Sequence, residues 1–360
     1  LTRPGNLSNR PRMLQNCSIV SKDASVRAYH AQDAKPGEFN YSLSVGDLLE
    51  VGKCASRFIA SGGKPRHPAS KWREYLACLH LTPGQVDLRF AFRPDTYKAQ
   101  VLTCPACGSV TDAQVCRKCN QRRRLKEVQK EWSGNAEHCA KWTERALERN
   151  QTIVKTDQRE AADLALKRLR DDPAIANFRD HSDCSLWLQG EWHDAETGLA
   201  IPVRTLIAYW PKADSNWGRT LGDFKTPRDA GHGAWTRVCY YAGYHVRAAL
   251  ALDLFNAATG EDRNAFFYVL SECAEPFEPA RRQLTPQFIG LGRKTYQGLL
   301  IHYARCLKTQ QWPSYDLLAE GQDAWTAVDI EPWMERGVGS APTADSSQPE
   351  PQDLLTSHAE

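Results

Sequence analysis

Four cysteines in two closely spaced pairs constrain the fold of this chain more than any other local feature. Cys104 and Cys107 form one C-x2-C pair, and Cys116 and Cys119 form a second pair after an interval of eight residues. Two such pairs supply the four thiolates of a tetrahedral structural Zn²⁺ site, although an iron–sulfur cluster can use the same ligand set. Because four cysteines leave no coordination position open, the spacing predicts a structural metal site rather than a catalytic one.

The other cysteines and the composition indicate the class of protein. Of the 12 cysteines in 360 residues, the eight outside the cluster are scattered through apolar or helical stretches. This pattern is typical of reduced thiols and favours the cytoplasm over a secreted disulfide scaffold. With 41% hydrophobic residues, 25% charged residues and a net charge of +3, the chain is not collagen-like, coiled-coil or wholly disordered. No apolar run approaches the roughly 18 residues of a membrane-spanning helix.

A basic run overlaps the second cysteine pair and continues beyond it. Its cationic residues are Arg117, Lys118, Arg122, Arg123, Arg124 and Lys126. A solvated charged face is one interpretation. The other is a patch that contacts nucleic-acid phosphates and positions the ligand without reading its sequence.

Hydrophobic periodicity divides the chain into a helical first part and an α/β second part. Helical spacing covers residues 42–60, 70–82, 132–149 and 158–170, and strand-like runs cover 186–194, 199–211 and 220–226. A helix within 234–257, a strand at 264–275 and a helix at 286–308 follow. We therefore predict a loose segment (1–40), a helical region with the cysteine cluster (41–182), an α/β core (183–336) and a disordered tail (337–360).

One short motif in the core carries chemistry. In the strand Gly222-Asp223-Phe224-Lys225-Thr226, Asp223 and Lys225 are two residues apart and should share one face. A metal-binding carboxylate beside an ammonium that steadies a phosphoryl oxygen suits phosphodiester hydrolysis. The pattern alone is weak, since it also occurs at Asp33-Ala34-Lys35, where we attach no function to it. An ordinary surface ion pair is the competing interpretation.

The motifs around Asp223 carry a family resemblance. In order, they are EWHDAETGLAIPVR, LGDFKT, YYAGYHVRAAL and NAATGEDRNAFFYVLSE. This order resembles the exodeoxyribonuclease VIII-like branch of the PD-(D/E)XK nuclease superfamily, over about 150 residues from roughly 184 to 332. The resemblance implies a restriction-endonuclease-like α/β core sheet flanked by helices, preceded by a helical part that carries the zinc-knuckle insertion.

The resemblance also implies an activity and its residues. The family degrades linear double-stranded DNA with Mg²⁺ or Mn²⁺ in phage-type recombination. Asp223 matches the metal-binding acid, Lys225 the catalytic lysine, Glu191 an acid of the first core strand and Tyr244 the helix tyrosine. Implied partners are duplex DNA, a single-strand annealing recombination protein and further copies of the chain.

Three positions depart from the family pattern. Ala208 stands where a second metal-binding Asp is expected, Arg247 where the helix Gln is expected and Ala77 where an early His is expected. His80 lies three residues after Ala77 and could substitute for that histidine. Loss of a carboxylate should weaken Mg²⁺ binding, and Arg247 should attract phosphate while it competes with a cation.

Three hypotheses follow. The first is an exodeoxyribonuclease VIII-like nuclease with impaired activity. The second is a catalytically inactive DNA-binding or recombination-accessory protein that uses the same groove, the basic run and Arg247. The third is a zinc-bearing interaction protein that binds no nucleic acid.

Overall fold

The computed structural model describes residues 13–22, 29, 31–63, 70–110 and 113–314. The proposed tail (337–360), the first 12 residues and the segment 315–336 of the expected core lie outside these residues. The chain forms two compact units, which we call the sheet unit (1–68 and 168–360) and the ribbon unit (69–167).

The described residues form both strands and helices. The strands are β1 (Leu14–Ser21), β2 (Phe90–Phe92), β3 (Thr96–Thr103), β4 (Arg124–Glu131), β5 (Thr152–Val154), β6 (Ser182–His193), β7 (Ala200–Pro211), β8 (Thr220–Lys225), β9 (Ala265–Ser271) and β10 (Pro279–Gln283). The helices are α1 (Val45–Lys53), α2 (Ala55–Ala60), α3 (Lys71–Leu81), α4 (Val86–Arg89), α5 (Glu137–Glu148), α6 (Thr156–Asp171), α7 (Pro173–Asp180), α8 (His232–Tyr241), α9 (Tyr244–Thr259) and α10 (Pro286–Thr309).

A six-stranded mixed sheet forms the centre of the sheet unit, in the order β1-β6-β7-β8-β9-β10. Strands β6, β7 and β8 run antiparallel in succession, β9 returns parallel to β8, and β10 is antiparallel to β9. The return to a parallel strand requires a crossover, and α8 and α9 supply it. The structure therefore confirms the predicted α/β architecture with a central mixed sheet and flanking helices.

Helix α9 lies at the centre of the hydrophobic core. Its Val246, Leu250 and Leu254 are fully buried and pack with residues of the sheet and of α10. The single helix expected within 234–257 is two helices, because Gly243 adopts a left-handed conformation (φ +67°) between α8 and α9. A Cβ at Gly243 would lie 2.4 Å from Leu49 Cδ1, so a close approach of α1 also requires glycine here.

The N-terminal residues contribute more to the sheet unit than the sequence predicts. Part of the segment expected to be loose is strand β1, which pairs antiparallel with β6. Helices α1 and α2, expected in the separate helical region, bury Leu48, Val51 and Phe58 in the core of the sheet unit. A local pattern shows that a helix is amphipathic, but it does not show which core the apolar face will join.

The ribbon unit is less helical than expected. Strands β3 and β4 form an eight-residue antiparallel hairpin, from Thr96↔Glu131 to Thr103↔Arg124. The sequence of β4, RLKEVQKE, consists mostly of good helix formers. Cross-strand pairing overrides that propensity, and Lys98 lies 2.9 Å from Glu127 across the hairpin.

Candidate functional site

Strand β8 brings Asp223 and Lys225 together, as the sequence predicts. Lys225 Nζ donates to Asp223 Oδ2 at 2.6 Å and to the carbonyl of Phe224 at 3.2 Å. The other carboxylate oxygen, Oδ1, accepts the Phe224 backbone N–H at 2.8 Å. Asp223 is 6% exposed, and both of its carboxylate oxygens are engaged by neighbouring protein groups.

Helix α9 adds a second cation to Asp223. Arg247 NH1 lies 3.7 Å from Asp223 Oδ2. Burial opposes the positive charge of Arg247, but Asp223 and the surrounding tyrosines keep its pKa above the usual value. Arg247 therefore stays protonated, and the position where the resemblance implies a glutamine carries a permanent charge.

Tyr244 also reaches this site. Lys225 Nζ lies 5.3 Å from the centroid of the Tyr244 ring, a cation–π distance. The ring of Trp235 stacks on the Tyr244 ring, with the two ring centroids 5.4 Å apart. The Tyr244 carbonyl accepts the hydroxyl of buried Tyr268 at 2.7 Å. The start of α9 is thus fixed against the sheet where it faces Lys225.

Tyr29, Arg204 and Asp47 complete the charged surroundings, and none of the three is among the site residues predicted from sequence. Burial raises the pKa of Tyr29 to about 12, and the charges of Arg247, Arg204, Asp47 and Asp223 all act on it. The Arg204 guanidinium lies 5.2 Å from the centroid of the Tyr29 ring. Arg204 is 3% exposed, and its Nε has no hydrogen-bond partner among the described residues. A buried arginine within the apolar run of β7 was the signal available in the sequence.

We call Lys225, Arg247 and Asp223 the charged cluster, in which two cations face one carboxylate. Arg204 and Asp47 act with it on the neighbouring Tyr29. The Asp47 carboxylate is already bound by the Ser44 backbone N–H and hydroxyl at the start of α1, at 2.9 and 2.7 Å. The excess of positive charge favours an anionic ligand over a divalent cation.

Neither Glu191, which was expected to assist metal binding, nor position 208 supplies a second carboxylate beside Asp223. Tyr209 of β7 pairs with Gly222 of β8, which places the neighbouring Ala208 at the level of Asp223, where its methyl group offers no metal ligand. Glu191 pairs with Pro202, six residues away from Ala208 along β7, or about 20 Å at the rise of a strand. Its carboxylate accepts from Asn16 Nδ2 at 2.6 Å and lies 3.6 Å from His193 Nε2. The structure therefore does not bring Glu191 to Asp223.

The described residues do not fit the Mg²⁺ or Mn²⁺ ion that the resemblance implies. Such an ion needs near-octahedral oxygen ligands and is usually held by one or two carboxylates. Asp223 is the carboxylate at this position, and Lys225 and Arg247 already neutralise it.

The ribbon unit brings the four predicted cysteine ligands together. The Sγ atoms of Cys104, Cys107, Cys116 and Cys119 all lie within 4.8 Å of one another, and those of Cys107 and Cys116 are 3.6 Å apart. Four sulfurs each about 2.3 Å from a tetrahedral Zn²⁺ would be roughly 3.8 Å apart, so the set fits a metal ion.

The two cysteine knuckles have the same backbone geometry. In the first, Gly108 N–H donates to the Cys104 carbonyl at 2.9 Å, and in the second, Asn120 N–H donates to the Cys116 carbonyl at 2.8 Å. Both Gly108 and Asn120 have positive φ angles, +70° and +51°. A hydrogen bond with the Ser109 hydroxyl lowers the pKa of Cys116, which favours the thiolate form that binds metals, whereas a hydrogen bond with Cys107 raises the pKa of Cys119.

Arg123 is not available for nucleic acid, contrary to the prediction. It is 7% exposed, and its guanidinium donates to the Ala113 carbonyl at 2.8 Å and to Ser109 Oγ at 3.1 Å. Arg123 lies one residue before β4, and its side chain turns inward, where it binds the segment between the two knuckles. The remaining cations of the run are exposed: Arg117, Lys118, Arg122, Arg124 and Lys126. Arg122 and Arg124 also line a cleft of about 460 Å³ beside Pro105.

Comparisons with known proteins find distant structural similarity and no sequence match. No family model matches the chain, and no curated protein matches it by sequence. A crystal structure of a candidate exonuclease from Eubacterium rectale is 11% identical, with a TM-score of 0.46, and covers 89% of this chain and 100% of that one. Rai1 from Scheffersomyces stipitis, solved with 3′-NADP⁺ and calcium, is 10% identical, with a TM-score of 0.24 and coverage of 70% and 60%. Rai1 from Candida albicans, solved with pU5 and Mn²⁺, is 9% identical, with a TM-score of 0.22 and coverage of 83% and 76%.

Among the described residues, none of the helices combines the length and the apolar character needed to cross a bilayer.

Proposed function

We propose that this protein binds nucleic acid through phosphate contacts on a nuclease-like core whose phosphodiester hydrolysis is impaired. The observation that carries the proposal is the environment of Asp223. Its carboxylate is 2.6 Å from Lys225 Nζ and 3.7 Å from Arg247 NH1, and Ala208 stands at its level on the neighbouring strand. A site built for a metal ion needs carboxylate oxygens free to bind it, whereas this arrangement offers cations.

Phosphate binding suits the exposure of these cations. The side chains of Lys225 and Arg247 are 17% and 35% exposed, so solvent and ligand can reach them, whereas that of Asp223 is 9% exposed. A phosphate oxygen can accept hydrogen bonds from an ammonium and a guanidinium together, and charge-assisted bonds of this kind are strong. Lys225 and Arg247 would thus hold a phosphodiester at Asp223 without a metal ion to activate water there.

The finer part of the proposal concerns the ligand and its context. We assign linear double-stranded DNA and a role in phage-type recombination because the motifs around Asp223 resemble exodeoxyribonuclease VIII-like proteins. A single-strand annealing protein and further copies of the chain are the partners that this assignment implies. The exposed cations at 117–126 supply a separate basic surface in the ribbon unit, and zinc is the metal we assign to its four cysteines.

An active metal-dependent nuclease is the second candidate. It is favoured by the Asp223–Lys225 pair itself, which has the residue types and the shared strand face that hydrolysis requires. The two candidates differ in what Mg²⁺ or Mn²⁺ should do. A metal-dependent nuclease cleaves only with the ion, whereas binding through the charged cluster needs no divalent ion.

The deciding experiment measures binding and cleavage on the same end-labelled linear duplex. Fluorescence anisotropy across a salt series should give binding that weakens as salt rises and does not require divalent ions. Incubation with Mg²⁺ or Mn²⁺ should give no cleavage above that of Lys225→Ala. Metal-dependent cleavage that Lys225→Ala abolishes would overturn the proposal in favour of the active nuclease. Single-stranded DNA and RNA of the same length serve as competitors, and if either displaces the duplex at equal concentration, the duplex assignment is wrong.

A further inference from the structure

A cleft separate from the charged cluster lies between α7 and strands β9 and β10 of the sheet unit. Its volume is about 480 Å³, within the usual range for small-molecule sites. Four aromatic residues line it: Phe178 of α7, Trp217 of the β7–β8 connection, and Phe267 and Tyr268 of β9. Nothing in the proposed phosphate-binding function uses this cleft.

The aromatic residues form a rigid, mutually supported set. The Trp217 ring lies 5.4 Å from Phe178 and 5.7 Å from Phe267, at interplanar angles of 87° and 81°. Trp217 Nε1 donates to Asn177 Oδ1 at 3.0 Å, which fixes the rotation of the indole. Trp217 and Phe267 remain partly exposed. Preformed aromatic surface of this kind suits a flat ligand.

Asp172 and Arg281 add one acceptor and one donor to the cleft. Asp172 Oδ1 caps α7 by accepting the N–H groups of Ala174 and Ile175 at 2.9 and 3.1 Å. Asp172 Oδ2 lies 3.4 Å from Arg281 Nε, a long contact that leaves capacity on both partners. The Arg281 side chain is 57% exposed and can turn toward a ligand. Arg282 also lines the cleft, but its guanidinium donates to the Ala230 carbonyl. The Asp172–Arg281 pair therefore suits a ligand that both donates and accepts hydrogen bonds.

From these features we infer that the cleft binds an unstacked nucleobase. A base has the flat π-face that aromatic residues bind, and its edge carries both donors and acceptors. Asp172 Oδ2 would accept from an exocyclic amino group, and Arg281 would donate to a ring nitrogen or carbonyl oxygen. Phe178 also connects the cleft to β8, because it packs so closely that a Cβ at Gly222 would lie 3.1 Å from its ring. A base in the cleft would therefore contact Phe178, which packs against the strand that carries Asp223.

The test uses nucleosides, which carry a base but no phosphate. Saturation-transfer NMR or calorimetry on the full chain should detect binding of adenosine and cytidine. Trp217→Leu and Arg281→Gln should each weaken it at least about fivefold. The control is Arg219→Gln, which removes an exposed arginine paired with Asp262 and outside the cleft. Thermal unfolding of each variant checks its fold, and Arg281→Gln remains informative if Trp217→Leu does not fold, since Arg281 is largely exposed.

Three results would contradict the inference: no nucleoside binding at millimolar concentration, equal binding by both cleft variants and the wild type, or equally tight binding of indole, which has a flat face but no acceptor edge. A single-stranded oligonucleotide that competes with adenosine would identify the occupant as a base within a strand, and one that does not compete would identify it as a free nucleoside. Arg247→Gln should leave nucleoside binding unchanged, so failure at the charged cluster and failure at the cleft are distinguishable.

Discussion

Asp223 Oδ2 is the meeting point of two cations, with Lys225 Nζ at 2.6 Å and Arg247 NH1 at 3.7 Å. The lysine comes from the same strand and the arginine from α9, which crosses over to the next strand of the sheet. Both compete for the carboxylate oxygen that a metal ion would need. The proposed phosphate binding in place of metal-activated hydrolysis rests on this relationship.

Restoring the missing carboxylate and removing the competing arginine should create metal-dependent activity. We expect Ala208→Asp combined with Arg247→Gln to cleave end-labelled duplex DNA in Mn²⁺ at least about tenfold faster than the wild type. The added carboxylate lies at the level of Asp223 on β7, and the glutamine no longer repels the ion. A single Lys225→Ala change in the same background is the blank. If the double variant gains neither cleavage nor Mn²⁺ binding by calorimetry, the explanation of the impaired site by Ala208 and Arg247 is wrong.

Removal of two neighbouring arginines of the basic run should affect different properties, stability for Arg123 and DNA binding for Arg124. Arg123→Ala should destabilise the ribbon unit by about 1–3 kcal/mol, because the Ala113 carbonyl and Ser109 hydroxyl lose their buried donor. Arg124→Ala removes an exposed cation and should leave the free energy of unfolding nearly unchanged while reducing the salt dependence of DNA binding by about one ion. Urea unfolding and anisotropy titrations measure the two quantities. Equal stability loss in both variants would refute the structural role of Arg123.

The cysteine cluster should hold one metal ion that stabilises the ribbon unit. Elemental analysis of the purified protein should find about one zinc per chain, and Cys116→Ser should lower that content and the protease resistance of residues 69–167. Cys239→Ser is the control, since Cys239 is a buried cysteine of the sheet unit outside the cluster. Iron in place of zinc, with a visible absorption band, would support the iron–sulfur alternative.

His245 should make the sheet unit sensitive to mild acid. Burial between Tyr240 and Phe288 lowers its pKa, although its Nδ1 contact with the Cys239 carbonyl at 3.2 Å opposes the shift. The unfolded chain therefore takes up the proton first, and the free energy of unfolding should fall as the pH drops through the ordinary histidine pKa of about 6.5.

Urea unfolding at pH 7.5 and pH 5.5 tests this, with His245→Phe compared with the wild type. The variant keeps a ring between Tyr240 and Phe288 but cannot titrate. Its free energy of unfolding should therefore fall less between pH 7.5 and pH 5.5. Exposed His232→Phe is the control and should retain the wild-type pH dependence. An unchanged pH dependence in His245→Phe would show that other groups cause the acid sensitivity.

Local patterns were sufficient where a feature depends on residues close together in the chain. The two C-x2-C pairs converge because each knuckle closes through hydrogen bonds within five residues, such as Gly108 to Cys104. Asp223 and Lys225 meet because alternate residues of a strand share a face. The strands β6, β7 and β8 have the apolar and β-branched composition that predicted them.

Features that depend on distant segments could not be predicted in this way. Strand β4 has the composition of a helix and is a strand because β3 pairs with it. Arg123 and Arg124 look alike in the sequence, but Arg123 points inward because the folded knuckle segment supplies its acceptors, Ala113 and Ser109. Glu191 belongs to the first core strand as expected, yet the pairing of β6 with β7 places it about 20 Å from the level of Asp223.

The sequence by itself therefore determined the α/β class, the cluster of four cysteines and the Asp223–Lys225 pair, because each follows from local spacing or periodicity. The tertiary structure decided that Arg247 and Tyr29 lie near Asp223, and that aromatic residues from separate elements line one cleft. These neighbours lie far apart along the chain and meet because the sheet order and the crossover through α8 and α9 bring them together. The balance of charge at Asp223, on which phosphate binding or metal binding depends, is a property of that assembly and of no single motif.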